Sequence, residues 1–218
     1  MPTPEEARTA LTLVTNAAVR EIVAVTNATA SIDDLLEATP TVIAYFSDGT
    51  AALAADHYDD LREAVNPATR YRAEPVVNLR DEKIRRGVLW ATETLLTPEP
   101  DPTLVSTRLA DVVQLETARP FRDTITANQT RDPASVGWRR HWSGDGCKFC
   151  RMLADGAAVY KRDTARFAAH PNCNCSASPV FDSEPAPEAS VIQYVASKRN
   201  RTPSERARLR AYLATLPD

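Results

Sequence analysis

Two short segments, Cys147-Lys-Phe-Cys150 and His170-Pro-Asn-Cys173-Asn-Cys175, contain every cysteine of this 218-residue chain. They also contain one of its three histidines. Zinc prefers sulfur and nitrogen ligands, and a C-x-x-C pair lets one tight turn present two thiolates to one ion. The proline that follows His170 restricts the backbone of the second segment. The pattern therefore predicts a tetrahedral metal site in a small domain that depends on it.

Five candidate ligands compete for the four positions of such a site. Cys147 and Cys150 form the safest pair, and His170 with Cys173 forms a second pair of the same spacing. Cys175 could replace either member of that second pair, so the spacing does not decide which residue is spare. The predicted cofactor is a structural Zn²⁺ ion. Its predicted ligands are drawn from Cys147, Cys150, His170, Cys173 and Cys175.

Other uses of the four thiols are two disulfides, a redox site or inert buried side chains. Redox chemistry favours a C-x-x-C at the start of a helix in a βαβ unit, and nothing before Cys147 has that pattern. The first residues, Met1-Pro-Thr-Pro-Glu-Glu6, lack the basic and apolar regions of a secretory signal. We therefore expect folding in a reducing cytoplasm, which favours metal over disulfides.

The composition is that of an ordinary globular protein. Hydrophobic residues make up 43% of the chain and charged residues 25%. The formal net charge is −3, so the chain as a whole is not drawn to nucleic acid. No run of eighteen apolar residues occurs, and we expect no membrane partner.

Residues 1–132 have the periodicity of helices. Thr3-Pro4-Glu5-Glu6 is a capping box with proline at the first helical position. Apolar residues then recur at intervals of three and four over about six turns. Ser31 is predicted to cap a short segment that ends at Leu36, and Thr39-Pro40 to start a new helix that ends at Asn66-Pro67. The apolar residues of the first helix are Leu11, Val14, Ala18, Ile22 and Val25.

Further helices are predicted from Arg80 and from Asp101-Pro102, with Pro120 expected to kink or interrupt the second of them. Its predicted apolar side carries Val105, Leu109, Val112 and Leu115. His57 is predicted to be solvated or locally paired. Asp132-Pro133 is expected to end the helical part.

The composition changes after Asp132, where aromatic residues and glycines surround the cysteines. A domain over residues 133–181, with short strands and a last strand at residues 176–181, is too small to support its own core and is expected to need a metal. Residues 182–218 are predicted to be a proline-containing linker and a short basic helix. The predicted fold class is thus α+β: a helical docking region (1–132), a small zinc-held α+β domain (133–181) and a short C-terminal helix.

The terminal segment carries a local excess of positive charge. One interpretation is a helix face that is simply solvated, and the other, which we predict, is an element that docks on an acidic protein surface or on the phosphates of packaged DNA. The basic residues are Lys198, Arg199, Arg201, Arg206, Arg208 and Arg210.

The cluster also carries a resemblance to a known family. The run from Trp138 to Tyr160, with its C-x-x-C and Asp155-Gly156, is followed by His170-Pro-Asn-Cys173-Asn-Cys175 and Pro179-Val180. In this order the elements resemble the conserved core of the MuF-like phage head-morphogenesis proteins, in the form found in phages of actinobacteria. The resemblance covers residues 137–181.

The resemblance implies a minor structural protein of a tailed-phage head, made in the bacterial cytoplasm and packaged into the virion. The portal protein, the major capsid protein or both are the implied partners. Relatives place a helical region before this core, as the pattern of residues 1–132 also predicts. Some relatives are labelled capsid maturation proteases.

We expect no enzymatic activity, because the residues that a protease needs are not recognisable. Neither His57 nor His141 stands beside a nucleophile motif, and His170 is assigned to the metal cluster. No H-E-x-x-H motif occurs either. The competing hypotheses are a nucleic-acid-binding zinc module and, less favoured, a protease. The basic residues that favour the first are Arg139, Arg140, Lys148 and Arg151.

Overall fold

The computed structural model describes residues 3–29, 31–142, 148–154, 159–160, 167 and 169–181, together with Ser204, Ala207 and Ala211. The predicted α+β class is confirmed. The helices are α1 (Pro4–Ala28), α2 (Ile32–Val65), α3 (Asp81–Thr92), α4 (Pro102–Arg131) and α5 (Lys148–Ala154), with a 3-10 turn at Glu93–Leu96. The strands are β1 (Ser135–His141), β2 (Val159–Tyr160) and β3 (Ser176–Phe181).

The capping box of α1 forms as predicted. The Thr3 hydroxyl accepts a hydrogen bond from the Glu6 amide at 3.2 Å, and the Glu6 carboxylate accepts one from the Thr3 amide at 2.7 Å. Both pairs satisfy amides that the first turn of a helix leaves without partners.

By length and composition α1 could cross a membrane. In the structure it packs against α2 and α4, with Leu11 and Ile22 buried. Arg20 and Glu21 lie on its exposed side. These contacts are those of an amphipathic helix in a bundle.

The predicted break at Pro40 is wrong, because α2 continues through it from Ile32 to Val65. Leu35, Thr39 and Ile43 are fully buried on successive turns that flank the proline. Proline in a helix interior costs about 3 kcal/mol, and packing on both sides of Pro40 offsets that cost. The helix ends as predicted, with Asn66 in the left-handed conformation at φ 49°.

The central helix is α4, which contacts α1, α2, α3, β1 and β3. It begins at the predicted Asp101 cap. The predicted interruption at Pro120 does not occur, because the helix continues to Arg131. Its apolar stripe continues from Leu109 to Val113, which is fully buried, whereas the predicted Val112 and Leu115 are only partly buried. Its C-terminal half is buried on several sides, because both the helices and the sheet pack there.

The sheet is antiparallel in the order β2-β1-β3. On β1, Trp138 lies opposite Tyr160 of β2, and their rings stack with centroids 4.4 Å apart. Position 137 requires glycine, because the backbone of β2 passes so close that a Cβ there would lie 2.5 Å from the Tyr160 carbonyl oxygen. The predicted strand at residues 176–181 is confirmed as β3.

One hydrophobic core joins the sheet to the helices. Phe181 and Trp138 of the sheet pack in it with Leu11 of α1, Tyr58 of α2 and Phe121 of α4. The sheet therefore buries its apolar side against the bundle, which the composition of residues 133–181 did not reveal. The three-domain division remains a prediction. In the predicted C-terminal helix, the described Ser204, Ala207 and Ala211 are helical and exposed.

A buried ion pair fixes the point where α4 leads into β1. The Arg62 guanidinium lies 2.7 Å from the Asp132 carboxylate, and the Asp132 side chain is fully buried. Tyr58 donates a hydrogen bond to the same carboxylate at 3.2 Å. The end of α2 is thus attached to the residue that caps α4.

His57 is neither solvated nor locally paired, so its predicted environment is wrong. It is buried, its Nε2 lies 3.1 Å from the Ser178 hydroxyl of β3, and its ring stacks on Phe121. His141, at the end of β1, is the second histidine in this region. Burial lowers the pKa of both rings, that of His141 to about 4. At His57 the negative charge of Asp60 opposes this lowering of the pKa. At His141 the negative charge of Glu5 opposes it, whereas the positive charges of Arg139 and Arg8 lower the pKa further.

We predict that stability falls as the pH drops from 7 to 5. Between these values the unfolded chain, with a histidine pKa of about 6.5, binds protons that the folded protein excludes from His57 and His141. The free energy of unfolding, which is fully retained above about pH 6.5, should therefore be about 1 to 3 kcal/mol lower at pH 5 than at pH 7. Urea denaturation at the two pH values measures this difference. The double variant His57→Gln/His141→Gln should show a flatter pH dependence; an unchanged slope would contradict the assignment.

Candidate metal centre

Three buried cysteines from two separate parts of the chain meet beside the sheet. Cys150 belongs to α5, whereas Cys173 and Cys175 lie in the loop that leads into β3. The three sulfur atoms lie within 4.8 Å of one another, and each cysteine is at most 2% exposed. All three are free thiols. They are therefore close enough to bind one metal ion. Cys147 lies outside the described residues.

His170 approaches the cluster through Cys150, although the group whose donor atoms all lie within 4.8 Å of one another consists of the three cysteines. Its Nε2 lies 3.1 Å from the Cys150 sulfur, which in turn lies 3.7 Å from the Cys173 sulfur. Its Nδ1 lies 2.7 Å from the Pro171 carbonyl oxygen. A carbonyl only accepts hydrogen bonds, so Nδ1 carries a proton, which leaves Nε2 as the ring nitrogen that could bind a metal beside the Cys150 sulfur. This is the tautomer that a metal-binding histidine requires.

The loop that carries these donors is a tight turn. The Cys173 amide donates to the His170 carbonyl at 3.1 Å, and Asn172 between them has φ 60°. Asparagine tolerates this left-handed conformation better than most residues do. The H-P-x-C sequence thus folds back so that His170 and Cys173 approach the same point.

Helix α4 holds the other side of this turn. Gln114 donates to the Cys173 carbonyl at 3.2 Å and accepts from the Asn172 amide at 3.1 Å. Two turns further along, Arg122 donates to the carbonyls of Cys173 and Cys175 at 2.5 and 3.1 Å. The position of the loop is therefore set by side chains of the helical bundle.

Arg140 of β1 faces the sulfurs directly. Its Nη2 lies 3.4 Å from the Cys150 sulfur and 3.6 Å from the Cys173 sulfur, and the residue is 3% exposed. The motif did not identify Arg140 or Arg122 as part of the site. For Arg140 a signal existed, because residues two apart on a strand share a face and the aromatic Trp138 lies two positions before it. For Arg122, in the middle of a helical pattern, no such signal existed.

The electrostatic environment favours one thiolate in the cluster. Hydrogen bonds from the thiols of Cys150 and Cys175 lower the pKa of Cys173, and the charges of Arg122 and Arg140 act in the same direction. The pKa of Cys150 moves the opposite way, because its thiol acts as the hydrogen-bond donor and is buried. The cluster thus combines a negatively charged sulfur with positive groups around it.

The cysteines form a second small hydrophobic cluster, which Phe167 joins to the core that holds the sheet. Trp142, Phe149 and Phe167 pack around them and are partly buried. Loss of a ligand here would disturb residues 148–154 and 169–175 first. The sheet has independent contacts with the bundle.

The basic residues expected to bind nucleic acid do not form one exposed surface. Arg140 is buried against sulfur, and the Arg151 guanidinium lies 5.6 Å from the centroid of the Trp142 ring. A phosphate backbone cannot reach Arg140 without displacing its neighbours.

The fold and the site define a class: an α+β protein in which a helical bundle positions a buried cysteine cluster that could hold a metal ion. A model of the VG15 protein family matches residues 4–198, so the chain belongs to this viral protein family. No curated protein and no solved structure matches the chain.

We predict that Gln114→Leu destabilises the protein by about 1 to 3 kcal/mol, because it removes the acceptor of the Asn172 amide and one of the two donors to the buried Cys173 carbonyl. Chemical denaturation measures the loss. Asp111→Ala is the matched control on the same helix. It removes an exposed contact to the Asn172 side chain at 2.9 Å and should change stability by less than about 0.5 kcal/mol. Equal effects of the two changes would contradict the role assigned to Gln114.

Proposed function

We propose that this chain is a minor structural protein of a tailed-phage head, acting in head morphogenesis near the portal or capsid and containing a structural zinc centre. The observation that carries the proposal is the cluster of Cys150, His170, Cys173 and Cys175 in a chain of a viral family. The elements of the MuF-like resemblance, from Trp138 to Val180, are those that build the sheet and this cluster.

The ligand set that we propose is Cys150, His170, Cys173 and Cys175. With zinc–sulfur bonds of about 2.3 Å, the sulfurs of a tetrahedral site lie about 3.8 Å apart, close to the 3.7 Å between Cys150 and Cys173. Four donors fill a tetrahedral site and leave no open position for a substrate. A centre with these four ligands would be structural. This proposed set leaves Cys147, which lies outside the described residues, as the spare residue.

A zinc ion would link elements that are distant in sequence. Cys150 lies on α5, a helix of 7 residues that is too short to be stable in isolation. The other three donors lie in the loop that α4 holds. The ion would fasten α5 to this loop and add its binding energy to the stability of the region.

We predict one zinc ion per chain, measured by elemental analysis of the purified protein. Cys150→Ser, Cys173→Ser and Cys175→Ser should each abolish stoichiometric binding, since serine does not replace a thiolate ligand of zinc. Cys147→Ser is the matched control and should retain the ion. Circular dichroism should remain largely helical in all four variants, because the bundle has its own core.

If Cys147→Ser loses zinc and Cys175→Ser retains it, the fourth ligand is Cys147 and not Cys175. Absence of metal from the wild-type protein, after purification with zinc and a reductant, would reject the centre altogether.

The proposed role is non-enzymatic, although the structure contains one histidine–serine contact. His57 Nε2 lies 3.1 Å from the Ser178 hydroxyl, the spacing of a nucleophile and its base. Both residues are buried, at 4% and 5% exposure, and the contact joins α2 to β3 inside the molecule. A substrate would have to separate the sheet from the helices to reach it. We interpret the contact as structural.

We predict that the chain is present in phage heads in low copy number and can be cross-linked to the portal or to the major capsid protein. The test uses a phage that carries this gene with an epitope tag, followed by immunoblotting of purified heads and mass spectrometry of cross-linked products. A variant truncated after Asp182 lacks the basic segment and should fold but enter heads at a level reduced by about tenfold or more, if that segment is a docking element.

Detection of the tagged chain only in the host lysate, and not in heads, would reject the structural role. Normal incorporation of the truncated variant would reject docking through the basic segment and leave the rest of the proposal in place.

A further inference from the structure

Two arginines are buried beside the cysteine cluster, Arg122 from α4 and Arg140 from β1. They are 2% and 3% exposed. Arginine remains charged in proteins, and a buried charge is costly unless an opposite charge or several hydrogen bonds compensate it. The compensation for two such charges in one small region must therefore come from their immediate surroundings.

The two guanidinium groups contact the same cysteines in different ways. Arg140 approaches the sulfur atoms of Cys150 and Cys173, at 3.4 and 3.6 Å. Arg122 donates to main-chain oxygens, those of Cys173 and Cys175. One arginine therefore acts on the charge of the sulfurs, and the other fixes the backbone that carries them.

An aromatic ring lies next to both charges. The guanidinium carbons of Arg140 and Arg122 lie 4.2 and 4.9 Å from the centroid of the Phe167 ring. A ring face attracts cations but carries no net charge, so it compensates only part of the cost of burial. Burial, together with the charge of Arg140, lowers the pKa of Arg122, which shows that the two groups are close enough to repel each other.

No carboxylate in the described part of the chain forms an ion pair with Arg122. The Cys173 and Cys175 carbonyls lie beside Arg122, and the sulfurs of Cys150 and Cys173 lie beside Arg140. A metal–thiolate centre at these sulfurs would place negative charge next to the two guanidinium groups.

We propose that Arg122 and Arg140 form an arginine clamp that sets the affinity of the site for a thiophilic divalent cation such as Zn²⁺. Arg140 contacts the Cys150 and Cys173 sulfurs, and Arg122 holds the carbonyls of Cys173 and Cys175. This inference rests on the proposed metal centre. Three thiolates and a neutral imidazole around a divalent ion carry a net charge of −1, which the clamp stabilises inside the protein. Arg140 and Arg122 are positioning residues, since neither is a metal ligand.

The test compares Arg140→Gln with Arg140→Lys in the full-length protein. Zinc affinity is measured by competition with a chromogenic chelator, and ligand geometry by the absorption spectrum of the Co²⁺-substituted protein. The neutral variant should bind zinc roughly tenfold to a hundredfold more weakly, the range seen when groups that support metal ligands are removed. Its Co²⁺ bands should keep their tetrahedral intensity, because all four ligands remain. Arg140→Lys should recover much of the affinity, because it keeps the charge.

The matched controls are the two corresponding variants of Arg62, Arg62→Lys and Arg62→Gln. Arg62 is also a buried arginine, but it pairs with Asp132 and contacts no sulfur. Its variants should lose stability and keep zinc affinity within about twofold. This separates an effect on the metal from a general loss of stability. If position 140 tolerates no neutral side chain, Arg122→Gln tests the other arginine of the clamp, and wild-type zinc affinity in that variant would overturn the clamp.

Wild-type zinc affinity in Arg140→Gln, with one ion bound, would overturn the clamp and leave the metal centre standing. Equal losses of affinity in the glutamine and lysine variants would also overturn it, because charge would then not be the cause. A wild-type protein that binds no zinc would reject the metal centre and the clamp with it.

Discussion

The polar side chains buried along α4 must find hydrogen-bond partners, and the positions of the irregular segments follow from that constraint. A buried donor or acceptor without a partner costs about 1 to 3 kcal/mol. Asn128 is fully buried and bonds both the amide and the carbonyl of Glu74, which fixes the segment between α2 and α3. Gln114 and Arg122 do the same for the loop that contains Cys173. Segments without regular structure are thus held by one regular helix.

This arrangement changes how a metal would stabilise the molecule. The loop of Cys173 and Cys175 is already attached to α4 through its carbonyls, and β3 continues from it into the shared core. The element that has fewer attachments is α5, where Cys150 and Leu153 are the buried residues. A metal would therefore act as a local link between α5 and a preformed loop. It would not be the nucleus of an independent domain, since the sheet packs against the bundle without it.

The sequence predicted the features that depend on local chemistry. The cap at Thr3, the end of α2 at Asn66 and the start of α4 at Asp101 require only neighbouring residues, and all three are confirmed. The continuity of α2 through Pro40 depends on tertiary packing, which no local rule contains. The same reason applies to the site. The spacing of the cysteines predicted that Cys150, Cys173 and Cys175 come together. Arg122, in contrast, is 25 residues before Cys147 and joins the site only because α4 packs against the loop.

The extent of the family match agrees with the shared core. The resemblance to head-morphogenesis proteins rests on residues 137–181, but the VG15 model covers residues 4–198 and so includes α1 to α4 as well as the cluster. A metal module that folded independently would not need side chains of a helical bundle to hydrogen-bond its loop. Because Arg122 and Gln114 of α4 bond that loop, a change in the bundle would alter the geometry of the thiols. The bundle and the cluster are therefore coupled through these hydrogen bonds.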